Sequence, residues 1–301
     1  MRRKNPISPI SPISPISPIG PISPIGPISP ISPIGLITLI ALFLTLVSCE
    51  KDIDIDYRQV APLYVVEANV NQDRSSVRIT MTQNMDDNSN DHGVEGATVV
   101  ISSGDSISRQ LNYSRDGYYT AALPGKPGTR YNLTIDVDGH HFTSTSTMQQ
   151  CPEMNSFRFV WKKIATERYL LGELHLQDIP HATNYYFLHI FRNNIGYRWA
   201  VISDDQRTAD GDLQQVFTCV TEREQEKGTS SDVLNEGDRI RIDIRAIDRS
   251  AYDYLYSMQM MDNTGTNPVS NITGGCLGYF TAYYQITHNV IFHAVDIEED
   301  Q

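Results

Sequence analysis

The sequence predicts a fold that is all-β in the main, on three observations. From Leu63 onward apolar residues recur at every second position, as in "LYVVEANV" (Leu63–Val70) and "RIRIDIRAI" (Arg239–Ile247). Turn signals such as Arg115-Asp116-Gly117 and Asp138-Gly139 divide the chain into short segments. One stretch, residues 250–262, carries a helical period instead. The expected architecture is an immunoglobulin-like or prealbumin-like β-sandwich over residues 61–150, then a second β-rich, sandwich-like domain over 151–301 bearing that helix.

Residues 1–48 read as a secretory leader. Arg2, Arg3 and Lys4 form a basic head, and no acid precedes Glu50. Leu36 to Val47, "LITLIALFLTLV", is an apolar run of 12 residues, too short for the ~20 residues a membrane-spanning helix needs. It has the length of a signal-peptide core. Between head and core, Pro6 to Gly35 is ten tandem Pro-Ile-Ser or Pro-Ile-Gly tripeptides. Proline at every third position forbids a continuous helix, so this tract is set apart from the fold. Leu46-Val47-Ser48-Cys49 resembles a bacterial lipobox, in which cleavage precedes the cysteine and Cys49 carries a diacylglyceryl group. One acyl chain anchors marginally, but two or three anchor firmly. The expected mature chain then runs from Cys49 to Gln301, 253 residues.

Residues 49–60 form an acidic tether, "CEKDIDIDYRQV", able to extend roughly 40 Å. Its Glu50-Lys51-Asp52 start resembles the signal that directs certain Bacteroidota lipoproteins to the outer face of the outer membrane. A solvated linker, or an edge strand through Ile53 and Ile55, is the plainer reading.

Seven strands are expected in the first domain. Leu63–Val70, Ser76–Gln83 and Ala97–Ser102 are β-branched runs. Ser106–Tyr113 and Tyr118–Leu123 flank one Asp-Gly turn, and Tyr131–Val137 and His140–Thr147 flank the other. Cys151-Pro152 marks the break. Beyond it, strands are expected at Ser156–Lys162, Tyr169–Leu176, Asn184–Arg192, Tyr197–Ile202, Gln214–Val220 and Arg239–Ile247. In the last of these, Arg239, Arg241, Asp243 and Arg245 share one face, which is a solvated strand face or a contact for an anionic partner. Ser250 with Asp253 reads as a capping-box-like start for the helix. Closing strands are expected near Gly278–Tyr284 and Asn289–Asp296.

Composition excludes some functions. The chain holds 24 Lys and Arg against 36 Asp and Glu, a net charge of −12. Loss of Arg2, Arg3 and Lys4 leaves 21 against 36, or −15. Such a surface repels phosphate backbones, so nucleic acid is no partner. The sequence contains no Gly-x-Ser-x-Gly, no His-Glu-x-x-His, no phosphate-cradling loop and no Cys-x-x-Cys. The histidines, including His140-His141 and His288 with His293, fall on opposite strand faces. No catalytic residue, metal site or cofactor is expected. Glu222 and Glu224 are a carboxylate pair in a polar loop. Asp86–Gly93, "DDNSNDHG", is oxygen-rich but lacks the spacing of a calcium loop. Eight of the sixteen tyrosines group at Tyr185-Tyr186, Tyr252/Tyr254/Tyr256 and Tyr279/Tyr283/Tyr284, as core packing or as contact residues for glycans or proteins. In an oxidising compartment the favoured disulfide is Cys219–Cys276, against three buried free thiols that include Cys151. Asp105-Ser106-Ile107 resembles the O-glycosylation acceptor of Bacteroidota exported proteins, with Ser106 as the acceptor.

"CEKDIDID", "VEGATVVIS", "DGYYTAAL", "GTRYNLTIDVDGHHFTSTSTM", "AYDYLYSM" and "NPVSNITGGCLGYFTAY" together resemble the lipoproteins called domain of unknown function 4249. The most specific part runs from Asn267-Pro268 through Gly274-Gly275 to Gly278-Tyr279-Phe280. The resemblance implies an outer-membrane lipoprotein, non-catalytic, acting beside a TonB-dependent receptor. A stand-alone glycan- or peptide-binding module is the alternative. The family brings no catalytic residues. The proline repeat departs from its usual short leader.

Overall fold

The computed structural model describes residues 61–83, 93–104, 107–180, 182–261 and 265–299 of the chain. The chain separates into Met1–Asp56 and Tyr57–Gln301, and every element below belongs to the second unit.

The first half supplies eight strands: β1 (Tyr64–Val70), β2 (Ser75–Met81), β3 (Thr98–Ser103), β4 (Ile107–Gln110), β5 (Asn112–Tyr113), β6 (Tyr118–Ala121), β7 (Arg130–Val137) and β8 (His140–Thr147). Their period of two is visible in burial. In β7, Tyr131, Leu133, Ile135 and Val137 are buried while Arg130 and Asp136 are exposed. The β7–β8 hairpin turns on Asp138 at φ 47° and Gly139 at φ 79°, the two positive angles of a type I′ turn.

The second half supplies β9 (Glu153–Ile164), β10 (Glu167–Gln177), β11 (Tyr185–Arg192), β12 (Ile195–Ser203), β13 (Asp212–Thr221), β14 (Arg239–Ile247), β15 (Leu277–Ala282), β16 (Tyr284–Ile291) and the short β17 (Glu298–Glu299). Two helices interrupt it, α1 (Glu222–Lys227) and α2 (Arg249–Gln259).

These strands form four sheets, ordered β15-β1-β2-β6-β5, β4-β3-β7-β8, β13-β10-β9-β17 and β12-β11-β14-β16. The first two enclose one apolar core, with Val66, Ile79, Val99, Ile101, Leu133, Phe142 and Phe280 inside it. The other two enclose a second, with Leu170, Leu174, Leu188, Ile242, Ile244 and Phe292. Each is a sandwich of the immunoglobulin type. Helix α2 lies outside the second sandwich, where Ala251 and Leu255 pack on Tyr185, Val201 and Ile247 of sheet β12-β11-β14-β16.

The chain crosses the expected division at residue 150 a second time. Strand β15 lies in the segment assigned to the second domain, yet it pairs parallel with β1, Val66 opposite Gly278 and Ala68 opposite Phe280. Phe280 is fully buried in the first core, a burial that contributes about 1.5–3 kcal/mol. Tyr283 alone separates β15 in the first sandwich from β16 in the second.

Three element boundaries also differ from expectation. The helix is capped by Asp248, not Ser250: its side chain accepts the Ala251 N–H. The polar loop containing Glu222 and Glu224 is α1, started by a capping box between Thr221 and Glu224 and ended by Gly228 in the left-handed conformation. The strand expected at Asn289–Asp296 is displaced toward the N-terminus as β16.

Candidate functional site

Cys49 and Ser106 lie outside the described residues, as do residues 86–92 of the oxygen-rich loop. Cys151, Cys219 and Cys276 are free thiols. Cys219 sits in the second core and Cys276 in the first, so the expected Cys219–Cys276 bridge is not formed. Burial pushes all three thiols up to about 11. Of the paired acids, Glu224 caps α1 and Glu222 is bound by Arg168. His141 meets Asp136 at 2.7 Å on an exposed strand, and His293 meets Glu236 at 2.5 Å. Among the described residues no group of three or more His, Cys, Asp or Glu side chains is placed to hold a metal ion.

One nucleophile-like set does come together. Register places Ser156 opposite His175, and His175 Nδ1 lies 2.9 Å from Asp212 Oδ2, beside an open cleft of about 640 Å³. The hydrogen bond of His175 is to Asp212, and none joins it to Ser156. These residues come from three strands, and no local motif announced them.

A second cleft, of about 570 Å³, lies where β8 meets the start of α2 and the loop before β15. Its walls are mostly hydroxyls and amides, among them Thr145, Ser146, Asn271 and Thr273. Much of this polarity is already engaged across the seam. Ser144 Oγ donates to Asn271 O at 2.7 Å, Thr143 and Thr273 bond through backbone and side chain, and Asp248 accepts from Ser146 and Thr147. These bonds tie β8 to the loop before β15 and, through Asp248, to the start of α2.

The outward face of sheet β12-β11-β14-β16 is built differently. Alternation along β11 and β14 turns Leu188, Ile190, Ile242 and Ile244 inward and leaves Phe187, His189, Phe191, Arg241, Asp243 and Arg245 outside. Cross-strand pairing arranges these in rows. Phe187 stands opposite Arg245, which stands opposite Gln285. Trp199, His189, Asp243 and Thr287 form the next row, and Phe191, Arg241 and Asn289 the third. Helix α2 covers the end near Tyr185 and Val201, and Phe187 and Tyr283 pack partly against the same cluster.

The arginines lie on the rings. Arg241 sits 4.0 Å from the Phe191 centroid, and Arg245 sits 5.4 Å from Phe187 and 4.9 Å from Tyr283. His189 lies 3.9 Å from Phe191, and Phe187 makes an edge contact with Trp199. The one acid of the face, Asp243, has its side chain 5% exposed, accepts a hydrogen bond from Thr287 Oγ1 and lies 3.4 Å from Arg241 Nε. Arg245 Nε donates to Gln285 Oε1, and among the described residues no acid lies within ion-pair distance of it. Burial, then the charge of Arg245, hold the His189 imidazole below its usual value, which keeps it neutral near pH 7.

The family model described as "Domain of unknown function (DUF4249)" matches residues 50–288. The chain belongs to this family. The arginine–aromatic face of this family member therefore lies within or immediately beside the matched region, as do both sandwiches. No curated protein matches the chain. Among solved structures, the chain is similar to a two fibronectin type-III domain segment from chicken tenascin. Identity is 10%, coverage is 77% of this chain and 100% of that one, and the TM-score is 0.21. At that score the likeness adds nothing to the sheet topology given above. No helix among the described residues is long and apolar enough to cross a membrane.

Half of this face was visible beforehand in this member of the family. "RIRIDIRAI" places its arginines on one side of a strand. The aromatic half, Phe187, His189, Phe191 and Trp199, comes from β11 and β12, whose neighbourhood to β14 no sequence pattern reports.

Proposed function

We propose that the protein is a lipid-anchored binding protein of the outer membrane, held through Cys49, facing the cell exterior and serving as a non-catalytic accessory to a TonB-dependent transporter. The observation that carries the binding role is the arginine–aromatic face. It is a broad area where two arginines rest on partly exposed rings and one of them, Arg245, has no acid within ion-pair distance among the described residues, a composition suited to contact. The address is supported by the Leu46-Val47-Ser48-Cys49 boundary and by the acidic tether leading to a body that begins near residue 57.

Crosslinking of the lipidated protein in intact cells, followed by capture in detergent, tests the accessory role. Recovery of a β-barrel transporter is the expected result, and its absence contradicts the reading. Protease added to intact cells should remove the protein, whereas full protection places it on the inner side of the membrane.

A second reading is a stand-alone glycan- or peptide-binding module. It is favoured by the same face, which offers rings and hydrogen-bonding groups without the need for any partner protein.

A further inference from the structure

We infer that the outward face of sheet β12-β11-β14-β16 binds a carboxylated glycan, with Arg241 and Arg245 taking sugar carboxylates and Trp199 with Phe187 and His189 taking sugar rings. This deepens the second reading above and rests on it.

Charge comes first. In a chain of net charge −12, Arg241 and Arg245 share a face whose acid, Asp243, is buried, bonded to Thr287 and ion-paired with Arg241 at 3.4 Å, which leaves Arg245 with no acid within ion-pair distance among the described residues. A cation left without its acid in an acidic protein is a local positive potential, and it selects anions.

Preorganisation comes second. The Arg241 side chain is 35% exposed and its guanidinium is backed by Phe191. Arg245 is held between Phe187 and Tyr283, with its Nε fixed by Gln285. Little rotamer freedom remains to be lost when a carboxylate arrives, and the planar fork of arginine matches two oxygens.

Shape decides between a glycan and an acidic peptide. An extended peptide binds best by adding to a sheet edge, where backbone groups are unpaired. Here β11 and β14 are both central strands, and the exposed groups beside the arginines are side chains: Trp199 at 39% exposure, with Thr287 and Asn289. Rings and hydroxyl or amide groups on a flat face suit pyranose rings, whose C–H faces lie on aromatic carbons and whose hydroxyls bond at the rim.

The test is calorimetric titration of the lipidated full chain in detergent with oligogalacturonate and oligomannuronate. The controls are methyl-esterified oligogalacturonate, which keeps the sugar and removes the charge, and poly-glutamate, which keeps the charge and removes the sugar. Binding of at least one uronate is expected, weakened about tenfold or more by esterification and by either Arg241→Gln or Arg245→Gln. Trp199→Ala should weaken it severalfold with thermal unfolding unchanged, and Arg245→Lys should retain part of the affinity if Arg245→Gln disturbs folding. The inference is overturned if neither uronate binds, if the ester or poly-glutamate binds as tightly, or if well-folded Arg245→Gln binds normally. Because the titration needs no transporter, its failure alongside successful capture of a barrel sinks this inference and leaves the accessory role standing.

Discussion

Ser146 on β8 donates its hydroxyl proton to Asp248 Oδ2 at 2.7 Å, joining two side chains 102 residues apart in sequence. The same carboxylate accepts the Thr147 N–H through Oδ2 and the Ala251 N–H through Oδ1, so it caps α2 while holding the edge of the first sandwich. Ser146 Oγ in turn accepts the Ala282 N–H of β15. One acid and one hydroxyl thus tie β8, β15 and the helix into a single body.

Asp248→Ala removes a helix cap and leaves the buried Ser146 hydroxyl and the Thr147 N–H without an acceptor. The expected loss is about 2–4 kcal/mol, from roughly 1 for the cap and 1–3 for the orphaned donors. Urea unfolding measures it. A loss under about 0.5 kcal/mol would mean the seam is not held by this residue.

The closing motif makes a sharper case. Gly278 has φ 99°, and a Cβ there would stand 2.0 Å from Val66 O, inside the parallel β1–β15 pairing. Gly275, three residues earlier, has φ 90° but nothing within 4 Å of its would-be Cβ. Gly278→Ala is therefore expected to abolish folding or cost well over 3 kcal/mol, and Gly275→Ala only about 1–2 kcal/mol of backbone strain. Thermal unfolding of the pair checks this, and equal effects would contradict the pairing.

The thiols offer a chemical count. With Cys151, Cys219 and Cys276 free and raised to about 11 by burial, roughly one in a thousand is ionised at pH 8. The native mature protein should react slowly with a thiol reagent, and the denatured, unreduced protein should yield all three thiols. Recovery of one thiol instead would restore a disulfide.

His293 and Glu236 give a pH signature. The bond to Glu236 raises the His293 imidazole above 6.5, and the bond to His293 lowers the Glu236 carboxyl below 4.5. A raised imidazole stabilises the fold below its unfolded value and loses that effect as pH climbs through the folded value. The lowered carboxyl stabilises above its unfolded value and loses that effect as pH falls through the folded one. The pair is therefore most effective between 4.5 and 6.5. The melting-temperature difference between wild type and His293→Gln should be largest near pH 5.5 and shrink toward about pH 8. A difference that stays flat over this range excludes the pair.

Strand content was legible because the period of two is local: β7 alternates in burial as it alternates in sequence, and β14 does so apart from the buried Asp243 and Ile247. Asp138-Gly139 was legible because only a few residue types tolerate its angles. What stayed hidden is long-range. Leu277–Ala282 reads as a strand, but nothing in it says that its partner is β1. The passage from β15 to β16 carries no Gly, Pro or Asn to mark it, only Tyr283, so the boundary was drawn late. Helix α1 is six residues long, too short for a period to show, although its Thr221 and Glu224 cap was there to be read. The arginines of β14 were visible as one face, whereas the rings beneath them became neighbours only through sheet order.

The central claim is an acylated anchor carrying a binding body, and its most direct measurement is mass spectrometry of the N-terminal peptide from native membranes. The account predicts a chain that starts at residue 49 with a diacylglyceryl group on the Cys49 sulfur. An unmodified Cys49, or a chain still bearing its Pro-Ile repeats, contradicts it.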